Sequence, residues 1–332
     1  MYIDIKRLEN NNLIYNKMNK VLAITILGLV ALTYVGLHSS GSTQIQDQFQ
    51  DFIQTYKISY SNSGEYEFRL QTFTQNLEKI ADLNRRNPKA VFAVNQFTDR
   101  TPEEMRQMFG RRNTPNRGHC VDKKESGTPT SIDWKKLMGA LKNQASCGSC
   151  WAFASSAVAE GRYALSKGKK TVTTRFSEQQ LVDCDKVNDG CEGGEEKDAF
   201  VFWEEHDICL EKDYKYTAED GECHGECHTG IKIAECTNLK AINSDIVIEL
   251  QNGPVDVGVD ASTWSSYSSG IVEDCDVSFL NHAVTLVGYN SDEGSVTIRN
   301  SWGSSWGEEG HIRLAYNSDA CGWLDDAHSI TF

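Results

Sequence analysis

The sequence predicts an α+β chain, in which a helical part is followed by a part built of strands. Three observations carry this. Glu65, Arg69, Phe73, Asn76, Ile80 and Asn84 recur every three or four residues, on one face of a single helix. Cys150 to Leu165 carries Trp151, Phe153, Ala154, Val158, Ala159, Tyr163 and Ala164 with little charge, so this second helix should be buried nearly all round. From about Ile246 onward Val, Ile, Thr and Gly alternate between turn residues, as strands do.

Taken in order, the 332 residues are enough for two lobes plus an accessory segment. Lys17-Met18-Asn19-Lys20, the apolar run 21–37 and then His38-Ser39-Ser40-Gly41 have the basic, apolar and small-residue layout of a secretory signal. That run sits at the lower limit for crossing a bilayer, so an uncleaved anchor is the alternative. The stretch before Met18 is polar and Asn-rich, which makes Met18 a candidate start. Residues 1–40 are thus expected to be extension and signal, with no stable membrane association once the signal is removed. Eleven cysteines fit an oxidising compartment. No Asn-Xaa-Ser/Thr acceptor occurs, so glycan-based lysosomal sorting has no support, and secretion and an acidic vacuole both fit.

Gly110 to Thr128 holds Arg111, Arg112, Arg117, Lys123 and Lys124 among Gly, Pro and Asn, and reads as an exposed linker and cleavage zone. Charge divides near its end. Residues 1–127 carry a net +4 and residues 128–332 a net −18. Nucleic-acid binding by the acidic part is disfavoured. An ionic share in the hold between the two parts would weaken as carboxylates protonate. Ser177 followed by Glu178 starts a further short helix.

The chemistry centres on Asn143-Gln144-Ala145-Ser146-Cys147-Gly148-Ser149-Cys150-Trp151-Ala152-Phe153. Cys150 sits at the first turn of the apolar helix, where the dipole and free backbone N–H groups favour a thiolate. Alone, Cys147-Gly148-Ser149-Cys150 fits a redox dithiol or half a zinc site equally well. Downstream, His282 heads an apolar run, and Asn300 ends a second one before Ser301-Trp302-Gly303. The Cys-Gly-Ser-Cys-Trp motif, with His and Asn about 130 and 150 residues later, resembles the papain family of cysteine proteases. The helix carrying Glu65 to Asn84 resembles the propeptide helix of cathepsin L-like zymogens. Ala93-Val94-Asn95-Gln96-Phe97-Thr98-Asp99 resembles a second propeptide motif, with Ala93 where the family has Gly.

That resemblance implies a two-lobe fold, with a helical left lobe, a β-barrel-like right lobe and the groove between them facing Cys150 and His282. It also implies a helical inhibitory prodomain over 41–127, whose linker runs backwards through the cleft, and a peptidase domain over 128–332 that starts near Thr128. Cys150 would attack the peptide carbonyl as thiolate, and His282 would take its proton and later give it to the leaving amine. Asn300 would orient the imidazole, and Gln144 with the Cys150 backbone N–H would hold the oxyanion. Trp302, and Trp306 beyond it, would keep water from the His–Asn pair. Gly193 and Gly194 would bind substrate backbone. Glu196, Gly258, Ala283 and Asp326 would line the second acyl-side pocket, with Glu195 at its approach. These carboxylates suggest a roomy acidic pocket open to Arg or Lys; the alternative is that they point to solvent on an acidic surface.

Ala145 stands where the family has Gly, which strains the chain if that position needs positive φ. The resemblance also implies bridges Cys147–Cys191, Cys184–Cys223 and Cys275–Cys321, to which Cys209–Cys227 adds a fourth; Cys120 and Cys236 are left open. With Cys223 and Cys227 in bridges, a zinc reading of Cys223-His224-Gly225-Glu226-Cys227-His228 loses its thiols. The expectation is therefore an endopeptidase made as a monomeric zymogen, with no cofactor or metal. Its partners would be protein or peptide substrates and its own propeptide. A silent binding protein of the same fold, or an exopeptidase, is the rival.

Overall fold

The computed structural model describes residues 43–112, 120–125, 127–239 and 241–332. The signal-like segment 1–40 lies outside them, as does part of the linker. The chain divides into two compact units, Met1–Thr74 and Gln75–Phe332.

In the first unit a helix over 43–56 (α1) and the start of α2, Ser63–Arg86, enclose an aromatic cluster. The Phe73 ring centroid lies 5.2 Å from that of Phe49 and 5.1 Å from that of Phe52. Asn62 caps α2 by accepting from Glu65 N at 3.0 Å, and the Glu65 carboxylate reaches back to Ser61 N at 2.7 Å. All six residues of the predicted stripe lie on α2.

In the second unit, the same stripe becomes a set of backbone clamps. Asn76 donates to Thr98 O and Arg100 O at 2.8 and 2.9 Å. The Asn84 amide both donates to Phe92 O and accepts from Phe92 N, each at 2.8 Å. This holds the strand β1 (Ala90–Phe92) against β6 (Tyr267–Val272) in antiparallel register, Ala90 opposite Gly270. A β-carbon at Gly270 would stand 2.2 Å from Lys89 O, so only glycine admits β1 there. Thr101 and Glu104 then form a reciprocal capping box on α3, Pro102–Arg106.

The helical layer is α4 (Cys150–Ser166), α5 (Glu178–Cys184) and α6 (Glu196–Glu205). As the Ser-Glu pair predicted, Ser177 caps α5, accepting from Gln180 N at 3.0 Å. Trp151, Leu181, Phe200 and Trp203 form its fully buried core.

The remaining strands are β2 (Val121–Lys123), β3 (Ile132–Asp133), β4 (Glu235–Leu239), β5 (Val255–Val259), β7 (His282–Asn290), β8 (Ser295–Arg299), β9 (His311–Ala315) and β10 (Ala327–Thr331). They form one sheet in the order β1-β6-β9-β8-β7-β5-β10-β4-β2, with β3 added to β7. The expected barrel-like lobe is therefore an open sheet. Its two edges are covered by three-residue strands from the segment before Thr128 instead of closing on each other. A second correction concerns Ile246, which lies in a helix, α7 (Asn243–Leu250), and not in a strand. Ile246, Val247 and Leu250 fall on one inward helical face, and an apolar run this short does not by itself separate helix from strand.

Five disulfides join Cys147–Cys191, Cys184–Cys223, Cys209–Cys227, Cys275–Cys321 and Cys120–Cys236. Cys150 is the free cysteine.

Candidate active site

Cys150 opens α4, a helix packed on β7, and His282 is the first residue of β7. The antiparallel β7–β8 pairing brings the residue after β8, Asn300, back beside His282. His282 Nε2 and Asn300 Oδ1 are 2.8 Å apart, and the ring's Nδ1 has no hydrogen-bond partner. The Trp302 ring lies 5.1 Å from the imidazole, and Trp306 meets Trp302 at the same separation. Both indoles are buried. Gln144 is held through its backbone N–H to Ser301 O and through its side-chain oxygen, which accepts from Ser301 Oγ. Its Nε2 donates to Cys147 O and to Met108 O, both at 2.9 Å.

Met108 belongs to the segment that follows α3, and this segment crosses the cleft. The Phe109 ring lies 5.9 Å from His282 and 6.1 Å from Trp302. Gly110 N donates to Cys150 Sγ at 3.2 Å, and Gly110 O accepts from Gly194 N at 2.8 Å. A β-carbon at Gly110 would lie 1.6 Å from Gly148 O, so the chain crosses the thiol only as glycine. At Gly193, a β-carbon would come within 2.6 Å of Gly110 O. Arg111 N then donates to Asn281 O, and Arg112 N to Gly194 O.

The expected exposed linker is thus buried at its start. Arg111 is only 7% exposed, and its guanidinium lies 3.5 Å from Glu195, 3.6 Å from Glu196 and in contact with Asp326. Gly258, opposite Ala283 in the β5–β7 ladder, makes room: a β-carbon there would be 2.7 Å from Arg111 Nε. Arg112 pairs with Asp189.

Two further residues of this pocket escaped sequence reasoning. Asp256 and His328 face each other across β5 and β10, with Asp256 Oδ2 at 3.3 Å from His328 Nδ1; His328 Nε2 lies 3.5 Å from Asp326. The available signal was Asp256 between two valines of an apolar strand, Val255-Asp256-Val257; His328 lies in the mixed run Ala327-His328-Ser329-Ile330, which carries no such signal.

Burial decides the charge states in the covered cleft. It pushes the Cys150 thiol up to about 12, against backbone N–H donors from Ala283, Gly110 and Trp151. It pushes His282 down to about 4, with the Asn300 hydrogen bond opposing. The helix start favours a thiolate, but burial opposes it here, raising the thiol and lowering the imidazole. Glu196 and Asp256 are raised well above the usual carboxylate range, by burial first and then by a nearby carboxylate, Asp256 for Glu196 and Asp326 for Asp256, with Arg111 pulling both down.

Residues 128–331 match the papain family of cysteine proteases, and residues 49–105 match the cathepsin propeptide inhibitor domain I29. The chain belongs to the papain family. A viral cathepsin of Choristoneura fumiferana nuclear polyhedrosis virus is 33% identical over 319 residues, covering 92% of this chain and 96% of the relative. Cysteine proteinase A of Leishmania mexicana is 36% identical over 294 residues, covering 82% of each. Among solved structures, digestive procathepsin L2 from Tenebrio molitor larval midgut superposes with a TM-score of 0.80 at 31% identity, covering 87% of this chain and all of that one. This papain-family chain is therefore a cysteine protease with its inhibitory propeptide attached, a zymogen.

One departure from the family pattern has a measurable cost. Ala145, in the turn before the nucleophile, has φ of 53°, a left-handed conformation costing roughly 1–2 kcal/mol for a residue with a β-carbon. Ala145→Gly relieves that strain but adds unfolded-state freedom worth roughly 0.4–1 kcal/mol. The variant is expected to gain between zero and about 1.6 kcal/mol in denaturant unfolding of the zymogen. A loss of stability would mean that the strain lies elsewhere.

Proposed function

We propose that this zymogen becomes a cysteine endopeptidase that prefers or tolerates a basic side chain two positions before the scissile bond. The observation that carries the reading is Arg111, a basic propeptide side chain buried among Glu195, Glu196 and Asp326 one residue from the glycine that covers Cys150. The propeptide runs through the cleft in the reverse sense to a substrate, yet its arginine uses the same pocket.

When the propeptide leaves, water returns and the burial that raises the Cys150 thiol and lowers His282 is relaxed. His282 Nδ1, the ring nitrogen without a partner, takes the thiol proton, and the thiolate attacks the peptide carbonyl. The negative charge on the carbonyl oxygen is met by Gln144 Nε2, released from Met108 O, and by Cys150 N. The imidazolium, held by Asn300, protonates the leaving amine as the C–N bond breaks. Water, deprotonated by the same ring, then hydrolyses the thioester and restores the thiol. Oxidised folding in the secretory pathway, to a lysosome-like compartment or the exterior, is supported by five disulfides.

The pocket assignment has its own test. Asp326 is 32% exposed on its side chain, so its charge is partly screened. Asp326→Ala in the mature enzyme should lower kcat/KM for an Arg-Arg substrate about tenfold more than for a Phe-Arg one, a difference of about 1.4 kcal/mol. Equal losses on both substrates would remove Asp326 from the pocket.

We also infer that the mature enzyme begins before Cys120, upstream of the Thr128 start that the family pattern suggests. Cys120 is buried and bridged to Cys236, and Val121 to Lys123 pair in parallel with β4. The test of the whole reading is the intact mass of the zymogen before and after a shift to about pH 4.5, into the carboxylate range, with an epoxysuccinyl thiol-protease inhibitor present. A shortened chain with one adduct, and neither with Cys150→Ala, is the expected result; processing without an adduct would point to a silent site. A start after Cys120, with a peptide released only on reduction, would overturn the proposed boundary.

A further inference from the structure

We propose that the pocket vacated by Arg111 is a binding site for a divalent transition-metal ion of the Zn2+ type, held by Glu196, Asp326 and His328. The inference rests on the reading that Arg111 marks the acyl-side pocket of the mature enzyme.

One ligand atom from each of these three residues lies within 4.8 Å of the other two. At tetrahedral angles, zinc–oxygen and zinc–nitrogen bonds of roughly 2.0–2.2 Å put ligand atoms on one ion about 3.3–3.6 Å apart, so inward side-chain movements of about an ångström complete the site. Glu196 is fully buried, and neither of its carboxylate oxygens has a hydrogen-bond partner. Its nearby cation is Arg111, at 3.6 Å, on a segment that maturation removes. A buried carboxylate left in this way needs a proton or another cation.

His328 argues for a metal in particular. Its Nδ1 faces Asp256, a buried carboxylate on the neighbouring strand, and its Nε2 faces Asp326 in the pocket. A carboxylate behind one ring nitrogen fixes the tautomer and turns the other toward the ion, the usual arrangement around a metal-bound imidazole. One imidazole with two carboxylates suits Zn2+ better than Ca2+ or Mg2+, which favour all-oxygen shells. The ion would occupy the space of a basic substrate side chain, so metal and arginine should exclude each other.

The test uses the full-length Cys150→Ala zymogen, which lacks the catalytic thiol as a competing ligand and cannot process itself. Zn2+ is titrated calorimetrically into this protein with Arg111 present and with Arg111→Ala. One equivalent should bind only when Arg111 is gone, and His328→Gln or Asp326→Asn should weaken it roughly tenfold or more. Both are near in size to the native side chains, and thermal unfolding of each checks that it folds. No gain of binding on removing Arg111 would overturn the proposal. Binding that survives both ligand changes but is lost with His282→Ala would overturn it too, by assigning the ion to the catalytic imidazole. The substrate comparison with Asp326→Ala stands apart from this: a preference for arginine without metal binding sinks the metal site alone, and metal binding without that preference sinks the pocket reading.

Discussion

Replacing Arg111 by Ala in the full-length zymogen is expected to raise the rate at which an epoxysuccinyl inhibitor labels Cys150 at neutral pH by about a hundredfold. Arg111 is the cation that faces Glu195, Glu196, Asp326 and, behind them, Asp256. Removing one partner of a buried ion pair costs roughly 3–5 kcal/mol. Proton uptake by the abandoned carboxylates recovers part of this, and about 2.7 kcal/mol corresponds to a hundredfold change. The cost falls on the closed form, in which the propeptide fills the pocket. An unchanged labelling rate would mean that the clamp contributes nothing to inhibition.

The same contact sets a pH dependence, and its sign follows from Arg111 itself. The guanidinium lowers the proton affinity of Glu196 and Asp256, while burial raises it. Arg111's own share of the propeptide's hold therefore weakens as pH falls and these carboxyls protonate. Because both carboxyls stand well above their ordinary values, the loosening should begin above the usual carboxylate range. Arg111→Ala should flatten the pH profile of inhibitor labelling as well as raise it.

Gln144→Ala in the mature enzyme is expected to lower kcat by about a hundred- to a thousandfold, with KM nearly unchanged. An oxyanion-hole donor is worth about 2.7–4 kcal/mol because it acts on charge that develops only in the transition state. The Gln144 amide is anchored by Ser301 and Cys147, so it is pre-oriented and pays little to reorganise. In the zymogen the same N–H is occupied by Met108 O, and a propeptide carbonyl stands in for the oxygen it would stabilise. A rise in KM with kcat preserved would make Gln144 a binding residue and transfer the oxyanion role elsewhere.

Gln144, Cys150, His282 and Asn300 were nameable from the sequence because each lies in a short local motif that resembles the papain-family pattern, and in the fold Asn300 sits against His282. The helix of Glu65 to Asn84 was readable for a related reason, since a period of three to four residues is a property of one segment alone. The open sheet, the helix at Asn243–Leu250 and the Cys120–Cys236 bridge were not, because each depends on segments far apart in the chain. Arg111 shows the difference most clearly. In the sequence it is one cation in a polar linker, and its meaning comes from carboxylates on α6 and at the start of β10, brought together by the register of β5, β7 and β10. Local residues determined what chemistry the chain can perform. Long-range strand pairing alone decided which charges share a buried pocket, because a side chain's electrostatic surroundings are set by neighbours in space and not by neighbours in sequence.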